Sequence, residues 1–262
     1  MKKGLTICLC LLSLLSAAGC RGGESPEPAS APLPPVVIPP DAKLVSLFFD
    51  DCFLNQYEVA LPVLRKYGFR ATFGVITDYV GTGHSLWEYM DIEHLEEMAA
   101  IGMDIASHTR THPNLTANLT DEQLREEIID SKHDLEKKGF KVSTMVYPYY
   151  AWDERVIAWV REAGYTCARA GWSRERAFHL TTTDEMDRYH VFSWQITSQD
   201  MEKFKLYLKE AGPDSLVGLT YHFITDDGPA DTSTPVASFK AQMAYLKEAG
   251  YTVVPLPQIF SK

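Results

Sequence analysis

The chain of 262 residues has fewer basic than acidic side chains. Lys and Arg number 25 against 35 Asp and Glu, which gives a formal net charge of −10. Loss of the N-terminal segment that carries Lys2 and Lys3 would leave 23 basic residues against the same 35 acidic ones. Affinity for nucleic acid depends mainly on attraction between basic side chains and phosphates. The composition therefore argues against nucleic acid as a partner.

Cysteine is also scarce. Of the five cysteines, Cys8, Cys10 and Cys20 lie in the first twenty residues, so Cys52 and Cys167 are the two left for a folded domain. Two cysteines in an exported chain could form a disulfide, but sequence spacing does not tell whether they lie within bonding distance. We expect both to be core residues.

The N-terminal apolar run is short. It extends from Leu5 to Leu15 behind two lysines and is too short for an ordinary membrane-spanning helix, so it is typical of an export signal. The small residues that end at Cys20 resemble a bacterial lipoprotein signal, in which that Cys is lipidated and becomes the new N-terminus. We predict an exported lipoprotein that is anchored to a membrane of the cell envelope and faces outside the cytoplasm. Ordinary secretion is the alternative.

A proline-rich segment follows. Arg21 to Pro40 contains seven prolines and shows neither helical nor strand periodicity. Such segments are extended spacers of roughly 3.1 Å per residue, so this one would reach up to about 60 Å. We predict three regions: a signal peptide over 1–19, a lipidated Cys and Pro-rich tether over 20–42, and one domain over 43–262. No internal repeat is visible in that domain.

Apolar strand patterns and amphipathic helix patterns alternate through the domain. Strands are predicted at 43–49, 70–76, 103–107, 142–147, 165–169, 189–195, 216–222 and 251–255, and helices at 56–67, 91–101, 120–138, 153–163, 199–211 and 235–249. Nearly continuous apolar strands that alternate with helices indicate a parallel sheet covered by helices. This number of units predicts an α/β fold that closes toward a barrel, with the active site at the C-terminal ends of the strands.

Two polar clusters lie at predicted strand ends. Asp50 and Asp51 follow the first strand, and the segment from Ser107 to Pro113 places His108 and His112 after the third. Two imidazoles and one carboxylate make a three-ligand set that leaves metal positions open for water and substrate, as in catalytic rather than structural sites. Because adjacent carboxylates repel each other in a buried site, a cation would let one aspartate bind metal while the other acts as a base. Hydrolytic chemistry follows from this set.

Each signal has a simpler interpretation. An isolated Asp-Asp pair more often caps the following helix, and a His-x3-His pair occurs by chance on exposed helices. Asp226 and Asp227 precede Gly-Pro in a polar loop and are typical of a turn. His222 alone would more often be a buried histidine with its hydrogen bonds satisfied. The combination of the two clusters at strand ends is what makes the metal site specific.

These motifs resemble those of the polysaccharide deacetylases of the NodB-homology type, carbohydrate esterase family 4. The resemblance covers roughly Lys43 to Leu256. It rests on Phe48-Phe49-Asp50-Asp51, Ser107 to Pro113, Tyr147-Pro148-Tyr149 and Leu219-Thr220-Tyr221-His222. It implies a distorted or incomplete (β/α) barrel that binds a divalent metal, usually zinc.

The resemblance also implies roles for individual residues. Asp51, His108 and His112 would bind the metal, and Asp50 would be the general base. His222 would protonate the leaving amine, and the backbone N–H of Tyr149 would help to hold the oxyanion. These roles agree with the chemistry of metal-assisted amide hydrolysis.

The chain departs from the family pattern at three places. Cys52 stands where Gly is common after the Asp pair. Val146 stands where the family has an Arg that orients the catalytic Asp, and Arg169 and Arg188 are the candidates to replace it. The Asp-Trp pair that supports the acid histidine is represented at most by Ser193 and Trp194.

Two classes of function remain open. The leading hypothesis is a metal-dependent hydrolase that removes N-acetyl groups from a cell-surface or extracellular glycan of the N-acetylglucosamine type, with removal of O-acetyl groups from xylan-like polymers as an alternative within the enzyme class. Trp87, Trp152, Trp172 and Trp194 are available as sugar platforms, although each is individually more often a core residue. The rival is a non-catalytic glycan-binding lipoprotein that keeps the fold, which the Val146 and Ser193 departures motivate.

Overall fold

Parallel strands and connecting helices alternate along the chain. The computed structural model of the protein describes residues 31–84, 87–171, 178–179, 187–197 and 200–260. The strands are β1 (Lys43–Phe49), β2 (Thr72–Val75), β3 (Gly83–His84), β4 (Trp87–Glu88), β5 (Asp104–Ser107), β6 (Thr144–Val146), β7 (Cys167–Arg169), β8 (Phe178–His179), β9 (Ser193–Gln195), β10 (Ser215–Tyr221), β11 (Phe223–Ile224), β12 (Ser233–Thr234) and β13 (Tyr251–Val253).

Eight α-helices are present in the described residues. They are α1 (Leu61–Tyr67), α2 (Ile92–Ala100), α3 (Asp121–Arg125), α4 (Ser131–Lys137), α5 (Glu154–Glu162), α6 (Met201–Tyr207), α7 (Val236–Glu248) and α8 (Leu256–Phe260). The π-helical segments Gln56–Ala60 and Glu126–Asp130 lead into α1 and join α3 to α4, and short 3-10 turns are formed by Thr77–Tyr79, Pro148–Tyr150, Asp187–Tyr189 and Leu208–Glu210. None of the described helices is long and apolar enough to cross a membrane.

The central parallel strands curl into a nearly closed barrel. Their order is β7, β6, β5, β2, β1 and β10, and β9 pairs with β10 on the far side. An isolated parallel bridge between Arg169 at the end of β7 and Val191, two residues before β9, brings the two ends of this series together. The fold prediction is therefore confirmed: this is an α/β protein with an incomplete (β/α) barrel.

Alternating residues of the strands separate two apolar clusters. On β1, Val45, Leu47 and Phe49 belong to the large cluster that includes the helices, whereas Leu44 and Phe48 pack with residues such as Cys167 of β7 and Leu216 of β10. The second cluster fills the barrel, because successive side chains of a strand point to opposite faces. Asp50 continues the inward series of Leu44 and Phe48, so its carboxylate points to the barrel mouth.

The start of the domain includes part of the predicted tether. Leu33 is 7% exposed, and its N–H donates to the carbonyl of Ile101. Further along, the Gln258 side-chain amide donates to the carbonyl of Val36. Residues 32–262 form one compact unit. The segment from Leu33 onward is thus packed, which shortens the stretch available as a free tether, while the predicted signal peptide and Cys20 lie outside the described residues.

Most predicted elements are present, but several strands are shorter than their apolar runs. Within the run 142–147 only Thr144–Val146 forms a strand. Within the run 189–195 only Ser193–Gln195 does so, and a 3-10 turn at Asp187–Tyr189 precedes it. Buried positions beside the ladders, such as Val142 and Tyr165, are covered by helices without strand pairing. The small hairpin of β3 and β4 and the pair β11 and β12 were not predicted.

Candidate active site

The predicted site residues converge at one end of the barrel. Asp50 and Asp51 follow β1, His108 follows β5, Tyr149 follows β6 and His222 follows β10. Because these strands run parallel, their C-terminal ends meet at the same rim. The sheet therefore brings together groups that are up to 172 positions apart in the chain.

Asp51, His108 and His112 form a cluster with the composition of a three-ligand metal site. The Nε2 atoms of His108 and His112 each lie 3.4 Å from Oδ1 of Asp51. One ligand atom from each residue can be chosen so that all three lie within 4.8 Å of one another. Within the described part of the chain this is the one group of three such side chains, and these are the residues the sequence singled out.

Hydrogen bonding orients His108 for binding. Its Nδ1 atom lies 2.7 Å from the carbonyl oxygen of Val146, which can only accept. The proton of a neutral ring therefore sits on Nδ1, and the Nε2 lone pair faces Asp51 and His112. His108 is only 1% exposed, so burial also restricts the orientation of its ring.

The loop that carries His112 is held by the Glu127 carboxylate. Glu127 accepts from the backbone N–H groups of Arg110 and Thr111, each at 2.9 Å, and from the Thr111 hydroxyl at 2.6 Å. The hydroxyl of Thr109 accepts from the N–H of His112 at 3.0 Å. Glu127 belongs to the π-helical segment after α3, and the sequence analysis did not identify it. Three hydrogen bonds to one carboxylate make it a positioning residue for the loop.

Electrostatics at the cluster favour an ionised Asp51 and a neutral His112. Burial by itself would raise the pKa of Asp51, but the interaction with His108 and the nearby His222 and His112 together lower that pKa to about 2. Burial, followed by the neighbouring His108, lowers the pKa of His112 to about 4. At neutral pH these groups are in the protonation states that metal ligation requires.

Left-handed backbone conformations surround the site. The non-glycine residues with positive φ among those described are Asp51 (74°), Cys52 (65°), Thr109 (68°), His112 (63°), Tyr149 (53°) and Tyr150 (59°). Such conformations cost about 1–3 kcal/mol each at non-glycine positions and cluster at functional sites. Cys52 adopts a conformation that glycine favours, at the position where the motif resemblance leads one to expect glycine. Cys52 and Cys167 are both buried and free, as expected of core residues.

Arg169 occupies the place expected of the missing arginine. Its Nη2 donates to Oδ2 of Asp50, and both side chains are almost fully buried, at 0% and 4% exposure. Arg169 lies on β7 directly opposite Val146 in the parallel register with β6. The guanidinium thus reaches Asp50 from the strand next to the one that carries Val146. The other candidate, Arg188, lies over the ring of Phe260 instead.

Aromatic rings complete the surroundings of Arg169. The guanidinium carbon lies 4.8 Å from the ring centre of Tyr150 and 5.9 Å from that of Phe48. Its Nε and Nη1 atoms, and Oδ1 of Asp50, have no hydrogen-bond partner among the described groups. Oδ1 of Asp50 is thus a buried acceptor left available at the site, as a base would need.

His222 faces the same carboxylate from β10. Its Nε2 lies 3.6 Å from Oδ2 of Asp50. The side-chain amide of Gln56 donates to the backbone carbonyls of Asp50, at 2.5 Å, and of His222, at 2.9 Å, and so ties the two strand ends together. Gln56 was not among the residues predicted from the sequence, although its spacing from Ala60 and Leu64 puts it on the buried face of the helix.

No described residue supports Nδ1 of His222. The hydroxyl of Ser193 donates to the carbonyl of Ala170 and accepts from Thr220, and the Trp194 ring stacks on Tyr207 with centres 4.4 Å apart. Ser193 and Trp194 therefore do not replace the family's Asp-Trp pair as direct partners of His222.

The remaining candidates lie near or outside the rim. Tyr149 is 65% exposed, and its ring centre lies 4.8 Å from that of His112. Asp226 accepts from the N–H of Val236 at the start of α7, in keeping with the turn interpretation. Trp152 stacks on His190 and Trp87 packs against Phe223, whereas Trp172 lies outside the described residues.

The matched region and the fold agree with the family suggested by the motifs. A family model for polysaccharide deacetylases matches residues 38–168, which is half of the chain. The protein YxkH of Bacillus subtilis is 35% identical over 127 residues, and these cover 48% of this chain and 44% of YxkH. A poly-beta-1,6-N-acetyl-D-glucosamine N-deacetylase of Staphylococcus aureus is 32% identical over 127 residues, covering 44% of this chain and 43% of that enzyme. The chain thus aligns with less than half the length of these relatives.

Solved structures support the same fold. The Xyl-CE4 domain of a multidomain xylanase from the hindgut metagenome of Trinervitermes trinervoides superposes with a TM-score of 0.58 at 21% identity, over 84% of this chain and 90% of that one. A family 4 carbohydrate esterase from Bacillus anthracis superposes with a TM-score of 0.54 at 24% identity, over 83% and 82%. At this identity the likeness concerns the fold alone. Together with the family match, it shows that the chain belongs to the polysaccharide deacetylase family.

Proposed function

We propose that the protein is a metal-dependent hydrolase that removes N-acetyl groups from a glycan of the N-acetylglucosamine type. The observation that carries the proposal is the convergence of Asp51, His108 and His112 beside the buried pair of Asp50 and Arg169. With this arrangement, Asp51 and the two histidines would bind the metal, while Asp50, held by Arg169, would transfer the proton. That division of labour is what hydrolysis of an unactivated amide requires.

The residues fit a divalent metal such as zinc. Asp51, His108 and His112 would hold it, since one carboxylate and two imidazoles suit zinc and leave positions open. When bound, the metal would polarise the acetamide carbonyl and lower the pKa of a water molecule. The carbonyl of Val146 supports this set by fixing the His108 tautomer.

The other residues would move protons and hold charge. Asp50 would accept a proton from the attacking water through Oδ1, which has no other described partner, while Arg169 holds Oδ2. His222 would donate a proton to the leaving amine, from the other side of the same carboxylate. The backbone N–H of Tyr149, a residue whose exposed ring lies against that of His112, would stabilise the oxyanion.

The N-acetylglucosamine class is proposed from the relatives. The Staphylococcus aureus enzymes act, by their names, on poly-beta-1,6-N-acetyl-D-glucosamine. An N-terminal lipid on Cys20 would keep this chain at the cell surface, next to such polymers. In that case Cys20→Ala moves the protein from the membrane fraction to the soluble fraction. A wild-type protein that is already soluble would contradict the anchor.

One of the two sequence departures that favoured the non-catalytic alternative no longer does so. The alternative was motivated by Val146 and Ser193, and Arg169 supplies the guanidinium that Val146 lacks. Nδ1 of His222 has no hydrogen-bond partner among the described residues, and this departure still favours the alternative. Removal of O-acetyl groups from xylan uses the same tetrahedral chemistry and stays an alternative substrate class.

The decisive experiment measures acetate release from N-acetylated chito-oligosaccharides and from acetylated xylan, with zinc or cobalt added. We expect release from the chito-oligosaccharides, its loss with a chelator and its return with metal. Asp51→Ala serves as the control for contaminating activity. Binding of the oligosaccharides without any acetate release would favour the non-catalytic alternative.

A further inference from the structure

A cleft of about 280 Å³ lies next to the candidate active site. Phe53, two residues after Asp51, and Phe223, directly after His222, both line it. Two residues of chain span at most about 7 Å, so the Cα atom of Phe53 lies within that distance of the Cα atom of Asp51. A polymer whose acetamide sits at the rim would therefore place a neighbouring sugar at this cleft.

The wall of the cleft is built from stacked aromatic rings. The rings of Phe53 and Phe223 are nearly parallel, with centres 3.7 Å apart, and the Trp87 ring lies 4.5 Å from that of Phe223. Phe53 and Phe223 are 6% and 7% exposed, whereas Trp87 is half-buried. The two buried rings hold Trp87 in place, and Trp87 offers its accessible surface to a ligand. Rigid aromatic surfaces of this kind suit the apolar faces of sugar rings.

The charges around these rings have one sign. Glu58, Glu88 and Asp227 line the cleft and are exposed, and every ionisable side chain among its described lining residues is acidic. None of the three forms an ion pair with another described residue. Three carboxylates around a tryptophan attract a cation, through direct charge and through the face of the ring.

We propose that this aromatic cleft, formed by Phe53, Trp87 and Phe223 with Glu58, Glu88 and Asp227, binds a glucosaminyl unit whose amine is already deacetylated and protonated. The proposal rests on the proposed deacetylase function, because that reaction produces such units. A neutral acetylated sugar would stack on Trp87 but gain nothing from the carboxylates. The cleft would thus favour partly deacetylated polymers and place a new acetamide next to a sugar processed earlier.

Binding to the full-length protein tests the proposal directly. The ligands are a glucosamine tetrasaccharide and an N-acetylglucosamine tetrasaccharide, titrated by calorimetry at pH 6 and low ionic strength. A chelator is present so that the acetylated ligand is not consumed, and mass spectrometry of the recovered ligand verifies this. We expect the amine form to bind at least about 5-fold more tightly, with the difference shrinking as salt is added.

Three variants locate the effect. The triple variant Glu58→Gln, Glu88→Gln and Asp227→Asn should bring the two dissociation constants to within 2-fold of each other. The matched control Glu162→Gln, Glu248→Gln and Asp214→Asn removes the same charge from exposed positions elsewhere and should keep the preference. Trp87→Ala should weaken the binding of both ligands. Because all six acids are exposed, both triple variants are expected to fold.

Two results would overturn the proposal: equal or tighter binding of the acetylated ligand by the wild type, or a preference for the amine that survives in the cleft triple variant. The outcome is separable from the proposed function. Acetate release without a preference for the amine would refute the cleft assignment alone. A charge-dependent preference without acetate release would refute the deacetylase and leave a binding site for cationic glycans.

Discussion

The buried carboxylate of Asp50 is paired with the guanidinium of Arg169, which extends from the neighbouring strand position opposite Val146. Parallel register places residues 146 and 169 side by side at the barrel mouth. A side chain as long as arginine can reach the same carboxylate from either strand. The position of the arginine in the sequence can therefore change while its contact is kept.

Removal of Arg169 should affect both stability and rate. Arg169→Met leaves Asp50 as a buried charge without its partner, which costs about 3–5 kcal/mol when one partner of a buried pair is lost. Chemical denaturation should show that Asp50→Asn with Arg169→Met is more stable than Arg169→Met alone.

An arginine at position 146 should replace Arg169 in part. In a double variant, Val146→Arg should restore part of the acetate release lost in Arg169→Ala. Failure of this rescue, with the fold intact, would show that the strand position matters beyond the contact itself.

The two adjacent aspartates should separate metal binding from proton transfer. Asp51→Ala should lose metal together with activity, because two imidazoles alone bind it more weakly. Asp50→Asn should keep near-stoichiometric metal while the rate falls by about 10² to 10⁴, the usual contribution of a general base. Elemental analysis beside acetate release checks both variants. Metal loss in Asp50→Asn with retention in Asp51→Ala would reverse the roles.

His222→Ala should slow amides far more than activated esters. An amine leaving group needs a proton, whereas the phenolate of an aryl acetate leaves without one. Acetate release from chito-oligosaccharides should therefore fall much further than turnover of an aryl acetate. Equal losses on the two substrates would indicate that His222 has a structural role.

Glu127 should tune metal affinity without binding metal. Glu127→Ala removes three hydrogen bonds from the loop before His112 and should weaken metal affinity about 10- to 100-fold, as loss of a supporting partner usually does. Glu127→Gln keeps an acceptor oxygen and should recover part of the affinity. Competition with a coloured chelator measures both. Unchanged affinity in Glu127→Ala would mean that the loop holds its conformation without this carboxylate.

Asp104 should make stability depend on pH. Its carboxylate accepts from the hydroxyls of Thr72 and Thr144 at 2.9 and 3.0 Å at the opposite end of the barrel, and burial raises its pKa to about 6 from an ordinary 3.8. The folded state then holds this proton more tightly than the unfolded state, so stability falls as the pH rises from 4 through 6.

Asp104→Asn should remove that dependence. The amide oxygen can still accept from both threonines, and the variant should gain up to about 3 kcal/mol over the wild type between pH 4 and 7. Urea denaturation of both proteins across this range measures the difference. A constant difference at all pH values would show that Asp104 titrates normally.

The sequence by itself predicted the fold class, and its motifs, through their resemblance to a known family, pointed to Asp51, His108 and His112, which the structure brings together. Periodicity identifies elements because it reports burial, and two histidines four positions apart with a distant Asp-Asp pair report ligand chemistry. The helix start at Thr120 could also be predicted from a local pattern, because its capping box joins Thr120 to Gln123, three positions away. These signals need no knowledge of distant neighbours.

Only the tertiary structure decided which distant residues support the site. The choice of Arg169 over Arg188 depends on strand register, and the role of Gln56 depends on two strand ends lying within reach of one amide. The aromatic cleft likewise joins Phe53 and Phe223, which belong to different strand ends. Contacts between residues more than 100 positions apart follow from barrel closure, and no local pattern in the chain encodes them.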